Sequence, residues 1–592
     1  MKKVLLTALT LAGYGIAMAQ LPVSTTPQNK KVVLEEFTGV NCVYCPDGHK
    51  MANQLIAANP GNVIAINVHT GGYATPGPGQ PDFRTAEGTA IAAIPGTNIT
   101  GYPTGSINRH LFTGESGFAV SRSKWNSYAT QILGQAAYVN VALEGTLNAS
   151  TRVLNVNVEL YYTGTTTNAN KLTVALLEDG VYGDQIGASN FYPQMITAFD
   201  EYTHNHVLRK VLTTQATGET ITTTTSGTLV TKSYSFTVPN TFVNTRTELG
   251  NLKLVAFVAE GDNNIINAAE GPITITNIAN TKDLNPYQIR VSNGICIGQV
   301  TPLIKVFNAG SSIVTAASLN MNVNGGANTA YNFSGSIKPL TTAIVQMSAL
   351  NFTATASNVF NVISNTVNGA PDEDASNNTV STTVAISTQT GARAEMTFVQ
   401  DRYGSESSWE VKDEAGVTVA QDGPFTDLSA NGTQSHVKSF TLSPNKCYTL
   451  SVKDGFGDGI NSGFGAGGFT LKVGGVVAVT SNGQYGKGME GYFKTAATLT
   501  GVDNVINTNA ISLYPNPAND KATLEFNVVK SGNVTVQVVD LTGRVITTVV
   551  NENMTTGAHQ VTVNTAALSS GVYNVQIRTE EGTITQRLSV VK

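Results

Sequence analysis

Two cysteines separated by two residues, Cys42-Val43-Tyr44-Cys45, are the most chemically suggestive feature of this 592-residue chain. Val32 to Phe37 before them reads as a buried strand. Asp47 to Ala58 fits a helix with Met51, Leu55 and Ile56 on one face, and Asn59-Pro60-Gly61-Asn62 stops it. Val63 to Val68 reads as a second apolar strand. A thiol at a helix mouth faces unpaired backbone N–H groups and the positive end of the dipole. Its anion is favoured, and its pKa falls from about 8.5 towards about 3.5–7.5. Cys42 is therefore the expected attacking sulfur, and Cys45 the one that resolves a mixed disulfide. The competing expectation is a static disulfide that ties the loop to the helix.

A second constellation lies far downstream. Asp401 and Glu406 precede Trp409, and Asp454 and Asp458 sit in the run Asp454-Gly455-Phe456-Gly457-Asp458-Gly459. Four carboxylates on glycine-bent loops suit one hard cation, and Ca²⁺ prefers such oxygens. The run is not an EF-hand, because position three is Phe456 and position twelve is Gly465. The plainer expectation is Asp side chains closing turns, with glycines supplying positive φ. No cofactor is otherwise required. His204 and His206 share a face if their segment is a strand; with no third ligand at suitable spacing they read as loop anchors rather than a metal pair. No H-E-x-x-H, G-x-S-x-G or P-loop pattern supports a hydrolase.

These residues need a scaffold, and composition bounds it. Charged residues are 13%, apolar residues 41%, and the net charge is −5 with no long basic block. That supports packed cores and argues against nucleic-acid binding. The length suggests about four domains. Four cysteines exclude a disulfide-dense scaffold. Cys296 and Cys447 fall in different expected domains, so a bridge between them is not expected and Cys296 reads as a lone buried thiol. Lys2-Lys3, the apolar run Val4 to Ala12 and Ala17-Met18-Ala19 form a secretory signal peptide. No other stretch is long and apolar enough to span a membrane.

The strand, C-x-x-C, helix, strand order resembles the thioredoxin superfamily. Glu36, six residues before Cys42, stands where that family keeps a buried acid serving the resolving thiol, and Gly101-Tyr102-Pro103-Thr104 looks like its cis-proline turn. Val43-Tyr44 replaces the usual Gly-Pro, no Trp precedes Cys42, and residues 70 to 98 form a Gly/Pro-rich insertion suited to capping the thiols or gating a partner. Leu34 to Gly39, the C-x-x-C-Pro and Tyr202 to Arg209 together resemble the outer-membrane-protein-28-related family of Bacteroidota, over about residues 21 to 278. Residues 279 to 388, with Asp372-Glu373-Asp374, resemble adhesin-type immunoglobulin-like repeats, and 390 to 497 a CUB-like sandwich. Ile511 to Asp520, Asp540 to Arg544 and the terminal Arg587 to Lys592 closely resemble the type A sorting domain of the type IX secretion system.

The expected fold is multidomain: an α/β thioredoxin-like N-terminal domain, then several all-β immunoglobulin-like or jelly-roll sandwiches. The expected units are a signal peptide at 1–19, the thioredoxin-like domain at 20–136 and sandwiches at 137–278, 279–388 and 390–497. A linker at 498–508 and the sorting domain at 509–592 complete the chain. The resemblances imply a secreted or cell-surface protein, with the type IX machinery as a partner and either protein thiols and disulfides or surface ligands as others. Nucleic acid and a transmembrane helix in the mature chain are not expected. Exchange chemistry at Cys42, Cys45, Glu36 and Pro103 requires that proline beside the pair and sulfurs within reach of a visitor. Otherwise the chain is a non-catalytic adhesion or binding protein with a structural disulfide.

Overall fold

Val32–Thr38 is buried along its whole length, the mark of a strand covered on both faces. It pairs in parallel with Val63–His69 through the crossover helix Cys45–Ala58, and in antiparallel with Thr104–Ile107. The computed structural model describes residues 23–77, 80–291, 295–497, 511–528, 531–579 and 582–592. The expected signal peptide and linker, with Pro78 and Gly79, lie outside the described residues.

The sheet does not end with these strands. Its path runs 263–271, 252–260, 170–178, 207–211, 63–69, 32–38, 104–107, 119–121. Strands of the expected 137–278 sandwich thus extend the first sheet, which runs across the boundary placed at 136/137. The cause is legible in burial. Asn170–Glu178 is buried on both faces apart from Lys171 and has pairing partners on both edges, so it is a central strand of a larger sheet. A four-stranded sheet (229–237, 153–162, 139–148, 273–276) covers one face of that extension. Helices Cys45–Ala58 and Trp125–Leu133 cover one face of the first strands, and Ala86–Ala92 lies on the other.

Two further sandwiches follow, with alternating buried and exposed residues. One packs strands 284–290, 303–308 and 342–346 against 314–323, 329–337, 357–367 and 379–385. The other spans 387–495. Cys296 and Cys447 form a disulfide that joins them, at a sequence separation of 151. This corrects the expectation of a lone Cys296 thiol. The short turn Ile295–Ile297 packs on strands Cys447–Asp454 and Gly488–Thr495 of the neighbouring sandwich, so the two cysteines meet although their sequence neighbourhoods are unrelated. The last unit packs a three-stranded sheet against strands 532–539, 545–554, 571–579 and 582–590. Among the described residues no helix is long and apolar enough to cross a membrane.

Candidate functional site

Cys42 and Cys45 form a disulfide with an S–S distance of 2.10 Å. Cys45 opens the helix, and Pro46 occupies its first turn, where a missing N–H costs nothing. One turn in, Gly48 lets the helix lie directly on two other groups. A Cβ there would meet Glu36 Oε1 at 2.4 Å and the Pro103 ring at 2.9 Å. The Tyr102–Pro103 peptide is cis. The expected quartet Cys42, Cys45, Glu36 and Pro103 therefore gathers around the first turns of one helix.

Glu36 is 0% exposed, and neither carboxylate oxygen has a hydrogen-bond partner. Burial pushes its carboxyl well above the usual range, opposed in part by the Arg122 charge. Its near neighbour is His49, whose Nε2 lies 3.9 Å from Oε1. His49 is four residues beyond Cys45, on the same face of the helix. It is held by Thr38 Oγ1 at 2.9 Å and the Tyr202 hydroxyl at 3.0 Å. His69 and His204 stack edge-on to the same group, and all three imidazoles are buried. Burial, then the neighbouring His206 charge, pushes His49 down to about 3; burial, His49 and Arg209 push His69 to about 3. His204 is also held well below the ordinary histidine range, mainly by burial. The sequence pointed to His204 but missed His49 and His69; the i to i+4 spacing of Cys45 and His49 was the available signal.

His204 and His206 do not share a face. His206 sits in a turn with φ +57, and its ring faces Asp179 at 3.5 Å. His204 Nε2 instead donates to the Asp184 carbonyl at 3.2 Å.

The sulfurs are covered. Cys42 is 3% exposed and Cys45 0%, while Val43 and Tyr44 between them stay exposed. The cover is a strap formed by residues 184–192. Gln185 Nε2 lies 3.2 Å from the carbonyls of Gly39, Val40 and Cys42, and Ile186 N–H donates to Val40 O. Gly187, at φ +75, presses on the Val43 carbonyl, where a side chain would have no room. Phe191 packs on Tyr44 with ring centroids 5.2 Å apart. The expected cap at 70–98 contributes less: the carbonyls of Tyr73 and Thr75 accept from Asn41.

In the sandwich spanning 387–495, ligand oxygens of Glu406, Asp454 and Asp458 lie within 4.8 Å of one another. Asp401 is close enough to raise Glu406 but stands outside that triad, and its carboxylate accepts from Tyr403 N–H. Asp454 also closes its own turn, accepting from Gly457 N–H at 2.5 Å. Burial, then repulsion from Asp454, Asp458 and Asp401, pushes Glu406 up to about 8; Asp454 rises to about 7, chiefly by burial.

Fold and site together define an extracytoplasmic multi-sandwich protein with a disulfide-bearing α/β head. Residues 92–276 match the family Outer membrane protein Omp28, and residues 512–591 match the Secretion system C-terminal sorting domain. The chain therefore carries an Omp28-family region and a sorting domain that directs export through the type IX machinery to the outer-membrane surface or extracellular space. No curated protein matches it. Among solved structures it is similar to HBP35 of Porphyromonas gingivalis, at 17% identity and TM-score 0.33, covering 61% of this chain and 99% of that one. A protein of Agrobacterium tumefaciens matches at 14% identity and TM-score 0.25, covering 41% of this chain and 94% of that one. Dimeric latent PorU of Porphyromonas gingivalis matches at 10% identity and TM-score 0.14, covering 79% and 37%. At such scores none of these likenesses bears on activity.

Proposed function

We propose that the N-terminal head is a thioredoxin-like thiol–disulfide exchange unit on an exported surface protein, held in a closed, oxidised resting state. One observation carries this reading: Glu36 is a buried acid with no hydrogen-bond partner, set beneath the cysteine helix and beside a cis-proline. A lone buried carboxyl lowers stability, so a purely structural disulfide gives no reason to keep it. Once an external dithiol has reduced the pair, Cys42 thiolate attacks a client disulfide and one client sulfur leaves as thiolate. Burial keeps Glu36 protonated at rest; in the fraction of the protein where it has lost that proton, Cys45 passes its own proton to Glu36 and attacks Cys42 Sγ, and the second client thiolate departs. Partners of the head are then protein disulfides outside the cell.

The second reading is a structural staple in an adhesion or binding scaffold, and the burial of both sulfurs favours it. The reduction potential of the Cys42–Cys45 couple separates the two. A working pair is expected between about −120 and −270 mV, and a staple below about −300 mV. Cys42→Ser should abolish insulin-disulfide reduction with the far-UV spectrum unchanged. A wild-type chain inert under reducing recycling would leave only the staple.

The triad Glu406, Asp454 and Asp458, with Asp401 beside it, is the proposed Ca²⁺ site. Three crowded carboxylates repel one another until a cation joins them. Millimolar Ca²⁺ is expected to raise the unfolding midpoint of the Trp409-reported transition, and Asp454→Asn to remove the rise. A midpoint indifferent to calcium in the wild type ends this assignment.

A further inference from the structure

Between the four-stranded sheet of the first unit and the next sandwich lies a cavity of about 510 Å³, unrelated to the cysteines. Arg152 and Arg246 line it together with Leu249, Phe307 and Leu340, and no carboxylate does. Among the described residues the Arg246 side chain donates no hydrogen bond. Its guanidinium is held flat by stacking instead, 4.0 Å from the Phe307 ring centroid and 5.0 Å from that of Tyr287. Stacking fixes the plane of an arginine and leaves its donors unspent. Glu248, an acid that feels its charge, is already occupied by Asn251 Nδ2 and Thr342 N–H. Arg152 is clamped through Nε and one Nη to the carbonyls of Val238 and Pro239, which leaves its other Nη free. Arg152 feels Glu178, a carboxylate already bonded to Arg209 Nε and Glu248 N–H, and the two guanidiniums feel each other as like charges. Two prepositioned forks at one cavity whose lining holds no carboxylate fit a carboxylate. Leu249 and Leu340, both buried residues, supply an apolar wall beside them.

We propose that this cavity binds a small amphipathic carboxylate, with Arg246 and Arg152 on the acid group and Leu249 and Leu340 against the apolar body. The volume falls in the range of small-molecule sites, which pair an apolar lining with a few placed polar groups. Nothing in the assignment depends on the redox reading of the head.

Calorimetric titration of the full mature chain with octanoate tests it, with acetate and 1-octanol as probes of the acid group and the apolar body alone. Octanoate should bind saturably at one site, at least ten times more tightly than either probe, and more weakly at high salt. Arg246→Gln should lower octanoate affinity at least tenfold and leave octanol unchanged. Because Arg246 spends no hydrogen bond, the fold should survive. Thr241→Trp, an exposed residue at the cavity, should block entry. Absence of octanoate binding, equal binding by Arg246→Gln, or acetate binding as tightly as octanoate would each overturn the assignment.

Discussion

A His69→Leu variant should gain about 2 kcal/mol more stability at pH 5 than at pH 7. His69 is buried, and among the described residues neither ring nitrogen meets a partner in full hydrogen-bond geometry; leucine gives up only a weak contact with the Asn67 backbone. Burial and the charges of His49 and Arg209 push its folded pKa to about 3, while Asp82 and the Asn67 backbone pull weakly the other way. The unfolded imidazole titrates near 6.5. Between those values the unfolded chain binds a proton that the folded chain does not. Stability therefore rises with pH across this window and is lost as pH falls from about 6.5 towards 3. His49 and His204 push the same way. Glu36, raised by burial, pushes the opposite way, because the folded chain keeps its proton. The whole-protein pH profile thus mixes signs, and the single variant isolates one imidazole. Trp125 reports the head and Trp409 the sandwich spanning 387–495, so urea unfolding in a Trp409→Phe background reads the right transition. An equal gain at both pH values would show that His69 titrates normally in the fold.

How much of this was legible beforehand depends on the range of the contacts. The strand, helix and strand around Cys42 are local, and their periodicity together with the Asn59-Pro60-Gly61 stop marks them in sequence. Glu36 and Pro103 followed from the resemblance to the thioredoxin superfamily, whose buried acid and cis-proline turn they match in position. The limits of the head were not legible, because strand 170–178 joins it through pairings at Val207–Val211 and Leu252–Glu260 that no local pattern encodes. Its run Leu172-Thr173-Val174-Ala175-Leu176-Leu177 hinted at two buried faces, which an isolated sandwich strand seldom has. The Cys296–Cys447 bridge failed for the same reason: loops 151 residues apart meet only once two sandwiches have packed. The acidic triad was readable because glycines and aspartates mark their turns; Asp401, grouped with it in the sequence, lies beside the triad and close enough to raise Glu406. The strap over the sulfurs had no signature at all. Gln185 is an ordinary polar residue until the fold brings it to Cys42.

That strap makes the second large effect. Gln185→Leu should speed reduction of the Cys42–Cys45 disulfide by a small external thiol about 10–100-fold. Gln185 is 1% exposed, and its amide nitrogen lies 3.2 Å from four carbonyls: Gly39, Val40, Cys42 and Ile186. Two N–H groups cannot satisfy four acceptors fully, so the bonds are shared and only about two are lost on substitution. The Gly39, Val40 and Cys42 carbonyls each keep a backbone donor, from Cys42, Ile186 and Cys45, so the loss is that of about two bonds at about 0.5–1.5 kcal/mol each, and each 1.4 kcal/mol is tenfold in an opening equilibrium. The Oε1 atom already lacks a partner, which places the effect towards the lower end. What remains of the strap, the Ile186 to Val40 bond and the Phe191 ring on Tyr44, limits opening to a local event rather than unfolding. Reduction is followed by thiol labelling of Cys42 with the far-UV spectrum as control. A rate equal to wild type would mean that the strap does not govern access, and that the sulfurs are sealed by the body of the head itself. A faster rate, joined to insulin reduction that rises in parallel, would identify strap opening as the step that admits a client.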